Sequence, residues 1–444
     1  MAQMIGSIQG AHVTVGAEVV EGSVSASDAR VLDVSGISPL YDLRVLRASY
    51  NSATTQLAQG SYDAQETSAK GGIPPVVVQG AIGDDGYPVK SDKGEVTLDL
   101  ILRGFGSNAP LSTGLGLILA SGLDYVAQTP GTTRAAISTG DNTFTVSMGF
   151  ALIHVGDVIA VPQADGRLRF CRVTNYVAGM PATFTTLEPH GYTNGDPFTV
   201  RLCHMFFPPA SGTPDGASLA VQLRESDQAF TRLGVGARLS GFSIKAGEAR
   251  EPVLTVKLMC TDGEYGASQF LSAGTPYPIG AASGSTPLRM LVAPLKVSEN
   301  HAADAAPWSG TAADMPVREW SVDVANSLYA IPDQGTRSGT SGQTVSTSIL
   351  SGSFVQLGMT GMVDMRDVMR ESQARAVGFT AAGANAAGNG LCVHVGTVSP
   401  KADPGVATSD TERLQTTNFQ AGNYLGDSDT YQTAGQPWIL AFVS

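Results

Sequence analysis

The sequence is short of charged residues, of basic residues in particular and of cysteine, and each shortage excludes a class of protein. Only 15% of the 444 residues are charged, and the net charge of −12 leaves the chain without the basic character of a nucleic-acid-binding protein. No apolar run approaches the length of about 18 residues that a transmembrane helix needs. Four cysteines are too few for a disulfide scaffold in a chain of this length, so we expect reduced, buried thiols.

The sequence also shows no recognisable signal-peptide pattern and none of the common enzyme motifs. The first ten residues, MAQMIGSIQG, contain no basic segment followed by an apolar one, so we expect no secretory signal peptide. No G-x-S-x-G elbow and no Gly-Lys-Ser/Thr phosphate loop is present. Gly234 and Gly236 are followed by Leu239 where a dinucleotide-binding loop has glycine. We therefore predict that the chain is not an enzyme and uses no cofactor.

Metal-ligating residue types are concentrated in residues 132–207, but in a poor arrangement. They are His154, Cys171, His190, Cys203 and His204. Structural zinc sites normally have a closely spaced pair of ligands, and the adjacent Cys203 and His204 have poor geometry for binding one ion together. Neighbouring carboxylates such as Asp84 and Asp85 lie in a glycine-containing turn, where acidic side chains are usually solvated. We predict neither a metal site nor a catalytic pair of carboxylates.

The sequence is instead rich in glycine, with 52 residues, and in threonine and valine, which favours a mainly β protein. Apolar and polar residues alternate most clearly in Glu95–Arg103 and Val317–Leu328. This period of two predicts strands with one buried and one polar face. Two helices are predicted, one from Pro110 to Gly122 and one from about Asp364 to Val377, each ended by a glycine.

The order strand, long arm, strand, helix and further strands occurs twice, which predicts a duplicated domain. We assign residues 1–131 and 208–265 to the first domain and residues 288–444 to the second, with a linker at 266–287. Residues 132–207 interrupt the first domain with five short strands, a pattern typical of a small inserted β-barrel or sandwich. The predicted fold class is therefore mainly β, with two tandem β-barrel or sandwich domains that have one helix each.

Several segments of the first domain resemble the tail tube proteins of long-tailed bacteriophages. Gly234–Gly247 (GVGARLSGFSIKAG) followed by Glu251–Leu258 (EPVLTVKL) is similar to the closing hairpin of that family. Glu95–Arg103 resembles a strand of the family. The helical segment that begins at Asn108-Ala-Pro-Leu and runs to Leu123 resembles the helix that follows this strand.

The second domain carries the same resemblance. Val317–Asn326, a predicted strand that ends in asparagine, resembles the corresponding strand of the family, and Leu350–Val355 resembles its partner. The insert at 132–207 matches no part of the family pattern. The chain thus resembles the version of the family that has two tandem tail-tube-type domains.

The resemblance implies a structural virion protein. Such proteins form rings that stack into a hollow tube, and chains with two tube domains form trimers with pseudo-sixfold symmetry. The inner wall of the tube is a continuous β-barrel, through which DNA passes transiently and without sequence specificity into the host. The implied partners are other copies of the chain, the tape-measure protein, and the tail terminator and distal tail proteins. The implied location is the virion tail, assembled in the host cytoplasm without a membrane.

Candidate site residues follow from the polar strand faces and the long arms. The candidate lumen-facing acids are Glu95, Asp99, Glu319 and Asp323. An acidic or neutral lumen would let DNA slide, because like charges do not attract; alternatively, these strands face the outer solvent. The arms at Tyr62–Asp92 and Asp333–Gln343 are candidate contacts to the next ring, or simply flexible loops. Their candidate residues are Gly71, Gly72, Pro74, Arg337 and Gln343.

Three other functions compete with the tube. A distal tail or baseplate component would form one ring and stop. A bacterial adhesin or surface-layer protein would normally carry a signal peptide, which we do not find. An enzyme with an unrecognised site would need a pocket with perturbed ionisable groups. The state of assembly of the purified chain distinguishes the first two from the tube.

Overall fold

The computed structural model of the chain is mainly β. It describes residues 12–22, 32–52, 56–58, 77–79, 94–106, 108–164, 166, 168–224, 231–247, 251–265, 271, 275–277, 295–298, 312–315, 317–333, 339–357, 376–382, 390–401, 405–408, 413–422 and 431–444. Within these ranges no helix has the length and apolar character required to cross a membrane.

The strands are numbered in chain order, and those up to residue 224 form the first half of the list. They are β1 (His12–Ala17), β2 (Leu40–Leu43), β3 (Arg47–Ser52), β4 (Gln56–Ala58), β5 (Val77–Gln79), β6 (Gly94–Ile101), β7 (Asp124–Val126), β8 (Thr133–Gly140), β9 (Thr143–Val146), β10 (Val158–Pro162), β11 (Leu168–Val177), β12 (Ala182–Thr186), β13 (Pro197–Arg201), β14 (Cys203–Phe207) and β15 (Leu219–Arg224).

The remaining strands begin with the long β16. They are β16 (Arg232–Gly247), β17 (Val253–Cys260), β18 (Asp262–Tyr265), β19 (Thr275–Tyr277), β20 (Leu295–Ser298), β21 (Ala312–Met315), β22 (Val317–Pro332), β23 (Thr340–Leu357), β24 (Ala376–Ala382), β25 (Gly390–Val395), β26 (Val398–Pro400), β27 (Gly405–Thr408), β28 (Arg413–Ala421) and β29 (Trp438–Val443).

Both strands that alternate most clearly in the sequence are present, with the expected faces. Along β6 the residues alternate between buried and partly exposed, with Val96 and Leu98 fully buried. Along β22, Val322 is fully buried whereas Asp323 is exposed. The strand predictions for Glu95–Arg103 and Val317–Leu328 are therefore confirmed.

One continuous antiparallel sheet contains both of these strands. Its order is β3-β6-β17-β16-β22-β23-β28, with β26 and β27 on the far side of β28. We call it the polar-faced sheet. The first strand group (β3, β6, β16 and β17) and the second strand group (β22, β23, β26–β27 and β28) have the same topology. In each group the first two strands in the chain pair together, and the last strand lies between the second and the third.

Two further layers cover the apolar face of this sheet. The N-terminal half of β16 extends beyond the polar-faced sheet and pairs with β15. From β15 the pairing continues through β1 and β2 to β19. A second sheet of seven strands has the order β21-β20-β24-β25-β29-β14-β7. Large aromatic side chains fill the space between the layers. Phe105 lies 4.5 Å from Phe442, and Trp320 lies 5.4 Å from Phe379, between ring centroids.

Residues 133–201 form a closed six-stranded barrel with the order β10-β11-β12-β9-β8-β13. Phe144, Phe184 and Phe198 fill its interior, with ring centroids 5.5 and 5.6 Å from Phe144. The next strand, β14, belongs to the segment assigned to the insert, yet it pairs with β29 and β7 in the seven-stranded sheet. All five residues of β14 are buried, because layers cover both of its faces.

The helix predicted from Pro110 to Gly122 is shorter than expected. A 3₁₀ turn at Pro110–Ser112 precedes helix α1 (Gly114–Ala120). The hydroxyl of Thr113 accepts a hydrogen bond from the backbone N–H of Gly116 at 3.0 Å and so caps the helix. Gly122 follows α1 where a Cβ atom would come within 2.7 Å of the carbonyl oxygen of Leu239. Glycine is therefore required for the close packing of this end of the helix against β16.

Some predicted loops are strands in the structure. Thr340–Gln343, assigned to an arm, begins β23 and pairs with β22 in a long hairpin. Glycine and serine there suggested a loop, but the neighbouring strand supplies the hydrogen bonds that fix an extended chain. Likewise, Thr275–Tyr277 of the predicted linker pairs in parallel with β2.

Other predictions fall wholly or partly outside the described residues. Most of the helix predicted at Asp364–Val377 does so, although its last two residues begin β24. Within the arm Tyr62–Asp92 the structure describes only β5, which pairs with β4. The arm candidates outside the described residues are Gly71, Gly72, Pro74 and Arg337.

Candidate assembly surface

The four candidate lumen-facing acids lie on one face of the polar-faced sheet. They are Glu95 and Asp99 on β6 and Glu319 and Asp323 on β22. The strand register connects them: Asp99 lies opposite Thr255 of β17, which lies opposite Ser243 of β16. Ser243 in turn lies opposite Asp323. The structure therefore places these acids together on a face that points away from the core.

Cations on the same face offset the carboxylates. Arg47 lies opposite Asp99, and Lys245 and Lys257 are exposed on β16 and β17. The hydroxyl of Thr255 donates a hydrogen bond of 2.6 Å to Asp99. Three strand spacings separate Asp99 from Asp323, or about 14 Å. This exceeds the Debye length of about 8 Å at physiological salt, so the carboxylates act almost independently of each other.

Serine and threonine occupy much of the remaining face. They include Ser49, Thr97, Thr255, Ser243, Ser321, Ser351 and Ser353. The hydroxyl oxygens of Ser321 and Ser353 lie 3.0 Å apart, across the β22–β23 pair. Around the row from Asp99 to Asp323 the face is therefore hydrophilic and of mixed charge, with short side chains between the charged ones. Further along β22 and β23 it exposes larger side chains, with Ile349 46%, Tyr329 60% and Ile331 40% exposed.

The two outer strands of this sheet have edges that no described strand covers. Among the described residues β3 pairs with β6 alone, and β27 pairs with β28 alone. An uncovered edge carries backbone N–H and C=O groups that can pair with another chain. Inside the sheet, the corresponding edges of the two strand groups are paired with each other. The third strand of the first group (β16) pairs with the first strand of the second (β22) over Gly241–Gly247.

Asn326 reinforces this junction from its buried side. Its side-chain amide donates to the carbonyl oxygens of Gly122, at 3.2 Å, and Leu239, at 3.0 Å. Asn326 thus ties β22 both to the segment after α1 and to the bend of β16. The sequence marked this residue only as the asparagine that ends a strand; its partners lie far away in the chain.

Gln343 belongs to a buried polar cluster beside Asn326. The side-chain amide of Gln343 donates to the carbonyl oxygens of Gly236 and Met259, and its backbone N–H donates to Glu21. Glu21 also forms a two-point ion pair with Arg238, with distances of 3.2 and 2.9 Å. Gln343 is only 4% exposed. Its side chain is committed to its own chain, and we withdraw it as a candidate contact to another ring.

A second polar cluster fixes the barrel to the rest of the chain. The guanidinium group of Arg172, on β11, is fully buried and donates to the carbonyl oxygens of Thr433 and Gln436. Glu188 accepts a hydrogen bond from the backbone N–H of Arg172 and lies 3.3 Å from the imidazole of His394, on β25. The barrel is therefore held by charged groups as well as by apolar packing.

The histidines and cysteines of the insert are dispersed rather than gathered. Cys171 and Cys203 are buried free thiols, and burial raises the pKa of Cys203. His204 accepts a hydrogen bond from the backbone N–H of Gln128, and burial lowers its pKa to about 4. His190 packs inside the barrel against Phe198. In the part of the chain that the structure describes, no group of three or more such residues is placed to hold a metal ion.

Comparison with known proteins adds no assignment: no family model matches the chain, and no curated protein matches it. Function is therefore inferred from the geometry of the polar-faced sheet and its edges.

Proposed function

We propose that the chain is a structural subunit of a bacteriophage tail tube, a conduit for DNA ejection into the host. The sequence resemblance suggests this role. Its strongest structural support is that the two strand groups have the same topology and meet edge to edge at β16 and β22. On this proposal the two groups are the duplicated tube domains.

The β16–β22 junction provides a model for contacts between chains. If each strand group is one unit, the edge formed by β26–β27 is equivalent to β16, and the edge formed by β3 is equivalent to β22. Pairing of β26–β27 with β3 of a second copy would repeat the internal junction. Head-to-tail contacts of this kind generate a ring when the rotation between units closes. A trimer would contain six such units, consistent with the pseudo-sixfold symmetry that the resemblance implies.

The polar face of the sheet suits the wall of a DNA channel. Continuing the sheet around a ring places Asp99 and Asp323 at repeated intervals on one surface. DNA carries a dense line of negative charge and would be held by a strongly basic wall. Short hydroxyl side chains and separated charges of both signs offer no such attraction. We propose that this face lines the lumen, with the tape-measure protein and then DNA as its transient contents.

Electron microscopy of the purified chain over a concentration series tests the proposal. We expect hollow tubes with regular cross-striations, or rings that stack when the concentration rises. Closed rings that never stack would favour a distal tail component instead. If the chain stays monomeric at the highest concentration, and if adding the tape-measure protein does not make it assemble, both the tube and the distal tail component are contradicted.

A further inference from the structure

A short turn that follows β1, residues 18–22, presents two adjacent valines to solvent. Val19 is 81% exposed and Val20 is 53% exposed. The glutamates on either side of this pair are instead turned into the chain: Glu18 is buried, and Glu21 forms the ion pair with Arg238 described above. We call this segment the valine turn.

Buried hydrogen bonds fix the conformation of the valine turn. The carboxylate of Glu18 accepts hydrogen bonds from the backbone N–H groups of Gly22 and Gly236, both at 3.0 Å. It also accepts one of 2.6 Å from the hydroxyl of Ser218. With Glu21 held at the other side of the valines, the turn is fastened at both ends. A projection that is already rigid loses little conformational freedom when it binds.

The valine turn lies against the projecting end of the β22–β23 hairpin. The carboxylate of Glu21 accepts a hydrogen bond of 2.8 Å from the backbone N–H of Gln343, and a Cβ atom at Gly342 would come within 3.0 Å of it. Gly342 lies opposite Ile331, which is exposed. Since β16 pairs with β22 only as far as Ala325, this part of the hairpin extends beyond its neighbour. The valines therefore lie next to an apolar surface at one end of the polar-faced sheet.

The opposite end of the same sheet has a cavity of about 880 Å³. It is lined by the end of β16, the start of β17 and the start of β22, with Lys245, Glu251, Val253, Arg318, Glu319 and Ser321 among the lining residues. Its two cations balance its two carboxylates. Val253 and the aliphatic stems of Lys245 and Arg318 offer apolar surface. Cavities of about 300–1,000 Å³ accept small ligands, so this one has room for a few side chains.

The cavity and the valine turn cannot meet within one chain. The span along β22 from Ser321, in the cavity, to Ile331, beside the turn, is about 33 Å at the usual rise per residue. In the ring of the proposed function the strand edges join the copies, so the strand ends face the rings above and below. Rings that stack in one direction bring the valine turn of one copy to the cavity end of a copy in the next ring.

We propose that the valine turn docks in this cavity of a copy in the neighbouring ring and that the contact stacks the rings. The inference rests on the proposed function, because it requires rings. The contact is head-to-tail, so it needs no two-fold axis and repeats along an open filament. Val19 and Val20 would bury against Val253 and the stems of Lys245 and Arg318. The carboxylates of Glu18 and Glu21 are satisfied in their own chain, so docking brings no further acid to the cavity.

A charge placed on the valine turn tests the contact. We expect Val20→Glu to form rings, but to need a concentration at least about tenfold higher before the rings stack, because docking would bury a carboxylate without a partner. The matched control is Val177→Glu, which changes a valine of similar exposure, 57%, on the barrel. It should stack like the unmodified chain. Electron microscopy and sedimentation over a concentration series measure the difference.

Cysteine crosslinking tests which surfaces meet. The four native cysteines are buried, so the double variant Val20→Cys with Lys245→Cys has one accessible thiol at each end of the sheet. A short bismaleimide is added to assembled tubes, and the products are separated on denaturing gels. We expect a ladder that extends beyond three chains, which links within a trimeric ring cannot produce. Each single variant, and Val20→Cys combined with Ala164→Cys in an exposed turn of the barrel, should give several-fold less product.

The outcomes separate this inference from the proposed function. If the unmodified chain forms no tubes, both fail. If tubes form but Val20→Glu stacks as readily as Val177→Glu, and the ladder is no stronger than in the Ala164→Cys control, only the docking contact fails. If Val20→Cys alone gives as much product as the double variant, the turn meets itself and the contact is overturned. If Val20→Glu tubes form normally but no longer retain the tape-measure protein, the valines bind that protein instead and the contact is again overturned.

Discussion

Ser243 in β16 and Asp323 in β22 lie opposite each other across the strand pair that joins the two strand groups. Both point to the polar side, whereas their neighbours Ile244 and Val322, which also face each other, are fully buried on the other side. The junction is therefore an ordinary sheet contact, polar on one face and apolar on the other. Such a contact can be repeated between chains wherever two edges have matching alternation.

The substitution Asn326→Ala tests whether the hydrogen bonds of this buried side chain stabilise the junction. It removes the two hydrogen bonds to Gly122 and Leu239 and leaves their carbonyl oxygens without this donor. We expect the free energy of unfolding to fall by about 1–3 kcal/mol. Urea denaturation measures the change. The neighbouring Ser327→Ala, at an exposed position, is the control and should leave the midpoint nearly unchanged; an equal shift in both variants would contradict this role of Asn326.

Arg172→Met tests whether the buried polar cluster fixes the barrel. The methionine fills a similar volume but cannot donate to Thr433 and Gln436, and it removes the guanidinium group that lies 3.5 Å from the imidazole of His394. Breaking a buried charged cluster costs about 3–5 kcal/mol. We expect a lower melting temperature and faster hydrogen exchange in residues 431–436.

Arg169→Met is the matched control for this change. Arg169 is on the same strand but is partly exposed, so its replacement should cost much less. If both substitutions lower the melting temperature equally, the buried cluster does not have the anchoring role that we assign to it.

His204 predicts a loss of stability in acid. Burial lowers its folded-state pKa to about 4, against 6.5 for the ordinary side chain. Above pH 6.5 the imidazole is neutral in both states. Between pH 6.5 and 4 the imidazole is protonated in the unfolded chain but not in the folded chain. The free energy of unfolding therefore decreases as the pH falls and levels off below pH 4. The total contribution is about 3 kcal/mol.

The variant His204→Gln isolates this effect, because glutamine can accept the hydrogen bond from Gln128 but does not titrate. We expect its stability, measured by urea denaturation at several pH values, to vary less between pH 6.5 and 4 than that of the unmodified chain. Parallel curves for the two proteins would exclude His204 as a source of the acid sensitivity. Other ionisable groups cancel in the difference, since the variant retains them all.

Local sequence patterns predicted the strands and their faces because burial along a strand repeats every two residues. The alternation around Val96 and Val322, and the short strands of the insert, required no knowledge of the partners. Gln343 shows the limit of such patterns. Its glycine-rich surroundings suggested an exposed arm, but contacts with Glu21, Gly236 and Met259 bury it.

Long-range polar contacts had no signal in the sequence. Arg172 and Thr433 are 261 positions apart, and nothing in the residues around either of them indicates that they meet. The same holds for β14, which we assigned to the insert although it pairs with β29 and β7 in the seven-stranded sheet.

Charge reversal on the polar face tests its assignment to the lumen. The double substitution Asp99→Lys and Asp323→Lys changes two exposed or partly exposed side chains and leaves the buried face of the sheet intact. In assembled tubes these lysines would line the channel and attract phosphate groups. We expect the variant tubes to retain short duplex DNA at low salt and to release it as the salt concentration rises. Retention is measured by co-sedimentation, and unmodified tubes should retain much less.

The matched control makes the same change of charge elsewhere. Asp141 and Asp196 are exposed on the barrel, outside the polar-faced sheet, so Asp141→Lys with Asp196→Lys adds equal positive charge to another surface. DNA bound in the channel should be protected from a nuclease that cannot enter the tube, whereas DNA bound to the barrels should be digested. If DNA is protected from the nuclease only in tubes of the Asp99→Lys, Asp323→Lys variant, this supports the assignment of the polar face to the lumen. Equal digestion in both variants would place the polar face on the outside, because only an enclosed surface can shield the DNA that it binds.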